Sequence, residues 1–290
     1  MTHYLESSVL KLEVLPEIGG AITTCSFQGV QVFARPANAT VKPTYLGNEK
    51  EWVRAWNGGW QLAIPNAGKE HLASLKPQGF HGNASQEKWE LLKISTSDAE
   101  MLWEKEGLSI RRRISVTNNQ LEIYTEVTNL ESTDRTFIAT EHLVLGDEFL
   151  VDPIVIDPDS DSEFVELDYV GNQSPTGWVS WGLTTWELLK LSDPARMGVL
   201  ATSQISVHNP SIRINIDWDR KIFPYIWLWE EFGASHNEPW NGNTYALGIE
   251  PAVTSDGLGL GEAERLGNTL LLAQSKSLSW NMTLTFENIL

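Results

Sequence analysis

The sequence predicts an all-β protein of antiparallel sheets, and three observations carry that expectation. Apolar residues recur with a period of two from one end of the chain to the other, turn-forming clusters separate the alternating runs, and no long amphipathic helical stripe interrupts them. In Leu121–Val127 the odd positions lean apolar, Ser211–Trp218 alternates without a break, and Leu278–Phe286 repeats the pattern. Strands with one packed and one wetter face suit antiparallel sheets, arranged as a sandwich or barrel, and do not suit parallel sheets covered on both sides. Asn118-Asn119, Gly171-Asn172, Pro175-Thr176-Gly177, His208-Asn209-Pro210 and Asn241-Gly242-Asn243 supply the turns. Helical turns are expected only at Asp193–Met197 and Ser85–Trp89. No βα unit recurs and the pattern does not change midway, so one domain over residues 1–290 is expected. Two connections, roughly 36–80 and 230–244, exceed what hairpins need and are rich in Gly and Trp, the setting in which binding surfaces form on a β scaffold.

Composition excludes several functions. With 41% hydrophobic and 20% charged residues in 290, the chain can bury a sizeable core. Its 21 Lys and Arg against 38 Asp and Glu give a formal charge of -17, which repels nucleic acid and anionic membranes. The one basic run, Arg111-Arg112-Arg113, is too short to reverse that balance. Cys25 is the sole cysteine, so neither an intrachain disulfide nor a thiolate-rich metal site can form. No apolar stretch approaches a membrane span and the N-terminal residues lack the features of a secretion signal, so a cytoplasmic location is expected.

The residues able to carry chemistry are few. Each of thirteen tryptophans either thickens the core or lines a cleft where its face can stack on the C–H face of a sugar. Trp52, Trp56 and Trp60, spaced by four in the first long connection, and Trp240 in the second are the cleft candidates; Trp218 and Trp280 alternate with core residues and are expected to pack. His81 sits between Phe80 and Gly82, and His142 follows Glu141 in an apolar run, so strand parity lets only one of that pair face a shared cleft. Glu250 closes the apolar stretch Tyr245–Pro251, where a carboxylate is either ion-paired or used; burial would raise its pKa toward that of a general base. Arg112 shares the face of Ile110, Ile114 and Val116 and must pair with a buried acid or reach the cleft. No histidine pair has ligand spacing, and Asp152, Asp157, Asp159 and Asp161 lack the glycine turn and closing glutamate of a calcium loop, so no metal is expected. Without a phosphate-cradling loop or a dinucleotide fingerprint, no cofactor is expected either.

Taken in order, Pro16–Ile22, the Gly59–Gly68 stretch through Ile64-Pro65-Asn66, His81-Gly82, His142 and Gly248-Ile249-Glu250-Pro251 resemble the aldose 1-epimerase (galactose mutarotase-like) family over nearly the whole chain. The resemblance implies an antiparallel β-supersandwich whose cofactor-independent cleft interconverts the α and β anomers of a free hexose. By motif position, Glu250 looks like the base that deprotonates the anomeric hydroxyl, His142 like the acid that protonates the ring oxygen, and His81 like a holder of sugar oxygens. Asn66 and Lys69 stand near the place where the family carries an arginine, and with Trp60 and Trp240 they complete the expected substrate-binding set. The family's substrate-fixing aspartate has Asp217, Asp219, Glu230 and Glu231 as candidates. The implied partner is a neutral monosaccharide, since the acidic balance argues against a sugar phosphate. A carbohydrate-binding protein without turnover is the alternative; glycoside hydrolysis would need a second carboxylate about 5 to 9 Å from the first.

Overall fold

The alternating runs fold as strands. Leu121–Val127 lies within Gln120–Asn129, Ser211–Trp218 supplies Ile212–Trp218, and Leu278–Phe286 lies within Ser277–Asn288. A computed structural model describes residues 1–36, 47–168, 170–183, 195–238 and 240–289. Among these, an eleven-stranded and an eight-stranded sheet, both antiparallel throughout, form the body, with a two-stranded ribbon beside them.

The centre of the larger sheet runs Trp60–Ala63, Thr140–Gly146, Tyr245–Ala252, Tyr225–Phe232, Arg196–Ala201. The smaller sheet turns its apolar face toward the larger one, and one hydrophobic cluster draws on both, including Trp60, Trp103, Trp280, Ile110, Ile114 and Leu143. Parity holds in the arginine run: Arg112 is buried while Arg111 and Arg113 are exposed, both near Glu100. Trp218 and Trp280 are buried in the core.

The long connections differ from the expectation. The first contains a helix, Glu49–Ala55, and the strand Trp60–Ala63. Asn48 and Glu51 form a reciprocal capping box at the helix start, a signal present in the sequence as Asn-x-x-Glu. Of the expected helical turn at Asp193–Met197, Asp193 and Pro194 lie outside the described residues, and Arg196 and Met197 open a strand instead. Near Ser85 a 3-10 turn spans Asn83–Ser85, slightly earlier than expected.

Candidate functional site

Sheet register assembles the site. The strand Thr140–Gly146 pairs with Tyr245–Ala252 so that Thr140 faces Ala252 and Val144 faces Gly248, which sets His142 opposite Glu250. On the flanks, Gln61 pairs with His142 and Trp227 pairs with Glu250. The row therefore reads Gln61, His142, Glu250, Trp227 across four strands on one face, away from the core. Glu141 points the other way, as parity requires. His142 and Glu250 are both buried, with Nε2 and Oε1 3.8 Å apart.

A second cluster of Trp52, Trp56, Ala34, Val144 and Ala246 lies on this outer face, with Phe80, Trp229 and Trp240 packed on it. The period-four spacing of Trp52 and Trp56 is the face of the helix Glu49–Ala55 and its C-cap. These groups surround a cavity of about 460 Å³ that holds His81, His142 and Glu250, with Glu49, Lys50, Lys69 and Glu70 among its lining.

Trp52 organises the histidines. Its ring lies edge-on to His81 at 4.7 Å and His142 at 5.2 Å between centroids, while its Nε1 donates to Ser85 Oγ at 3.0 Å. His81 takes a left-handed backbone (φ 58°), a region histidine tolerates better than most residues. The following Gly82 has φ 77°, and a Cβ there would come within 2.3 Å of the Ile64 carbonyl, so only glycine admits this turn. The Gly68 amide donates to His81 Nδ1 at 3.1 Å. With Nδ1 an acceptor, a neutral His81 carries its proton on Nε2.

Desolvation dominates the electrostatics of the site. Burial pushes Glu250 well above the usual carboxylate range. Burial also pushes His142 down to about 4, and lowers His81 well below its ordinary value with a smaller contribution from His142. Burial therefore works against the charged form of each group and favours a protonated Glu250 beside a neutral His142.

The structure places five of the seven expected site residues on this cavity: Glu250, His142, His81, Lys69 and Trp240. Trp60 is a correction. It pairs with Leu143, not His142, so it faces the core, where its Nε1 donates to Glu141 at 2.8 Å. The spacing by four fails for it because the helix ends at Ala55 and Trp60 begins a strand. Asn66 is a second correction. Fully buried, it donates to the Lys69 and Gly79 carbonyls at 2.9 Å each and accepts from the Leu260 amide at 2.7 Å, fixing the segment that holds His81.

None of the four acidic candidates lines the cavity. Asp217 is exposed on the smaller sheet, Asp219 accepts from the Lys221 amide in a turn, Glu230 pairs with Arg196, and Glu231 accepts from the amides of Ala234 and Ser235. Trp227 and Trp229 line the cavity but were not singled out; their alternation in Tyr225–Phe232 was the available signal. Among the described residues no group of three His, Cys, Asp or Glu could hold a metal, and no helix is long and apolar enough to cross a membrane.

No family model and no curated protein matches the chain by sequence. Solved structures do match. A Synechocystis protein superposes with a TM-score of 0.75 at 15% identity, covering 100% of this chain and 96% of its own. The GalM/aldose epimerase homologue from C. elegans gives 0.70 at 16% identity with 100% of both chains covered. A galactose mutarotase-like protein from Clostridium acetobutylicum gives 0.69 at 12%, covering 99% and 95%. Coverage this complete at TM-scores of 0.69 to 0.75 shows that the chain has the galactose mutarotase-like fold.

Proposed function

We propose that the chain is a cofactor-independent isomerase of the aldose 1-epimerase type, interconverting the α and β anomers of a free sugar. One observation carries the reading: His142 and Glu250 stand opposite each other on neighbouring strands, 3.8 Å apart, buried in one cavity. Ring opening needs a base at the anomeric hydroxyl and an acid at the ring oxygen, which are neighbours on the same carbon, so acid and base must stand close together.

The proton transfers follow from the pair's chemistry. Glu250 as carboxylate takes the hydroxyl proton while His142 as imidazolium gives one to the ring oxygen. The C1–O5 bond breaks and the aldehyde forms, leaving a protonated Glu250 and a neutral His142. That is the proton distribution the desolvated site favours. The step therefore starts from the distribution that burial disfavours, carboxylate and imidazolium, and relaxes to the favoured one as the ring opens. Rotation about C1–C2 presents the other carbonyl face, and both transfers reverse on closure. His81, with Nε2–H free of Gly68, donates to a sugar oxygen.

Anomer-exchange NMR over free aldoses, uronates and sugar phosphates tests the reading. Acceleration is expected for neutral sugars, and Glu250→Gln should lower it about 10²- to 10⁴-fold with the fold retained. Turnover unchanged by that substitution removes Glu250 from the mechanism. Saturable binding without acceleration in the native chain would make it a carbohydrate-binding protein.

A further inference from the structure

The cavity continues past the acid–base pair along an aromatic wall. Trp229 pairs with Gly248, two residues from Glu250, so it stands one side-chain step, about 7 Å, along the sheet from the pair. Trp240 follows, its ring centred 5.3 Å from that of Trp229 and tilted by 38°. Unlike Trp52 and Trp56, which are buried beneath, Trp229 and Trp240 keep part of their surface open to the cavity.

Nor is Trp240 a stray surface ring. Its loop is pinned at the start by Glu231, which accepts from the Ala234 and Ser235 amides and the Ser235 hydroxyl. The Trp240 amide donates to the Asn237 carbonyl at 3.0 Å, and the Gly242 amide to Ser235 at 2.8 Å. Glu238 ties the loop to the helix Glu49–Ala55 through Arg54 and, at 3.7 Å, Lys50. A partly exposed indole on a loop held this firmly is a preformed stacking platform.

We propose that the substrate is a reducing oligosaccharide of at least two rings. Its reducing-end ring lies against His142 and Glu250, and the next ring stacks on Trp229 and Trp240. The inference rests on the anomer-exchange reading for the orientation of the chain. A single hexose at the pair would leave much of the 460 Å³ cavity and the outer indole without contact, whereas binding sites are close-packed around their ligands. Lys50, Glu49, Lys69 and Glu70 also line the cavity and offer polar partners for sugar hydroxyls.

Titration calorimetry with glucose and galactose against maltose, cellobiose and lactose reads this independently of turnover. At least one disaccharide should bind about tenfold more tightly than its monosaccharides. Trp240→Ala should bring that ratio close to one, and Trp240→Phe, which keeps a stacking face, should preserve most of it. Disaccharides bound no better than monosaccharides, or a ratio that survives Trp240→Ala, overturns the proposal. Anomer exchange measured on the same sugars separates the two ideas. Exchange of monosaccharides without a disaccharide preference defeats only the oligosaccharide; a preference in binding without exchange supports the wall and defeats the isomerase.

Discussion

Glu141 and Glu250 are carboxylates on neighbouring strands, both buried, at 0% and 3% exposure, yet their surroundings are opposite. Glu141 faces the core and receives four N–H donors: Arg112 Nη1 at 2.9 Å and Nη2 at 2.7 Å, and the indoles of Trp60 and Trp280 at 2.8 Å each. Arg112 is itself completed by Thr125 Oγ1 at 3.0 Å. Glu250 faces the cavity, and among the described residues its one polar contact is His142 at 3.8 Å. Burial alone therefore does not mark a reactive carboxylate. The supply of donors does: Glu141 is held in place by four N–H groups, whereas Glu250, starved of them, is left to trade its proton.

The largest break in this comparison comes from emptying the saturated side. Arg112→Met strands Glu141 in the core with two indoles for company, and should cost about 3–5 kcal/mol, read as a fall in the denaturant midpoint. Arg112→Met with Glu141→Leu removes the stranded charge but leaves the indole N–H groups of Trp60 and Trp280 without their acceptor, so it should recover part of that loss. If the double variant is no more stable than the single one, the ion pair is not what Arg112 contributes.

The starved side should show itself through pH. Unfolded, between about pH 4.5 and 6.5, His142 is protonated and Glu250 ionised; folded, burial opposes both charges and favours the proton on Glu250 over His142. Both states bind one proton, so the pair adds little slope to stability in that window. Glu250→Gln removes the cancellation. The unfolded chain then takes a proton on His142 that the folded chain refuses until about pH 4, so stability falls as pH drops below 6.5. The added loss should approach about 3 kcal/mol by pH 4 relative to the native chain. His142→Asn should do the reverse, losing stability as pH rises above 4.5, because only the folded Glu250 holds its proton there. Desolvation, the larger cause of the lowered His81 pKa, is common to all three proteins, so most of its contribution drops out of the differences. Parallel pH profiles for the three would mean that the pair does not share a proton.

Much of this was legible in the sequence, and the failures have definite causes. Period two located the strands, and parity at Glu141-His142 required that only one of the pair face the cleft, which the structure shows to be His142. The same parity made Arg112 the charge on an apolar face, whose partner proved to be Glu141. Trp60 was misplaced because a spacing of four has meaning only while the chain stays helical. Asn66 was misplaced because a motif position says that a residue is needed, not whether its amide meets ligand or backbone. The pairing of His142 with Glu250 could not be read at all, since antiparallel register between strands about a hundred residues apart is set by the packed sheet and not by either strand.

The finest probe of the contrast is a single methyl group. Gly248 has no positive φ to require glycine, so alanine fits its backbone, but a Cβ there would sit 2.3 Å from Glu250 Oε1 and 3.2 Å from Trp229 Cβ. The carboxylate lies folded over the bare glycine, two residues away on the same face of the strand. Gly248→Ala must therefore move the flexible end of Glu250 rather than the strand, so stability should stay within about 1 kcal/mol while turnover falls about 10- to 100-fold. The loss should appear in kcat more than in KM, because the sugar's contacts on the aromatic wall remain. In a Glu250→Gln background the same change should cost almost nothing more, since there is no longer a base to displace. Equal losses with and without the carboxylate would instead place the effect on Trp229, and would make Gly248 part of the binding wall and not the residue that aims the base.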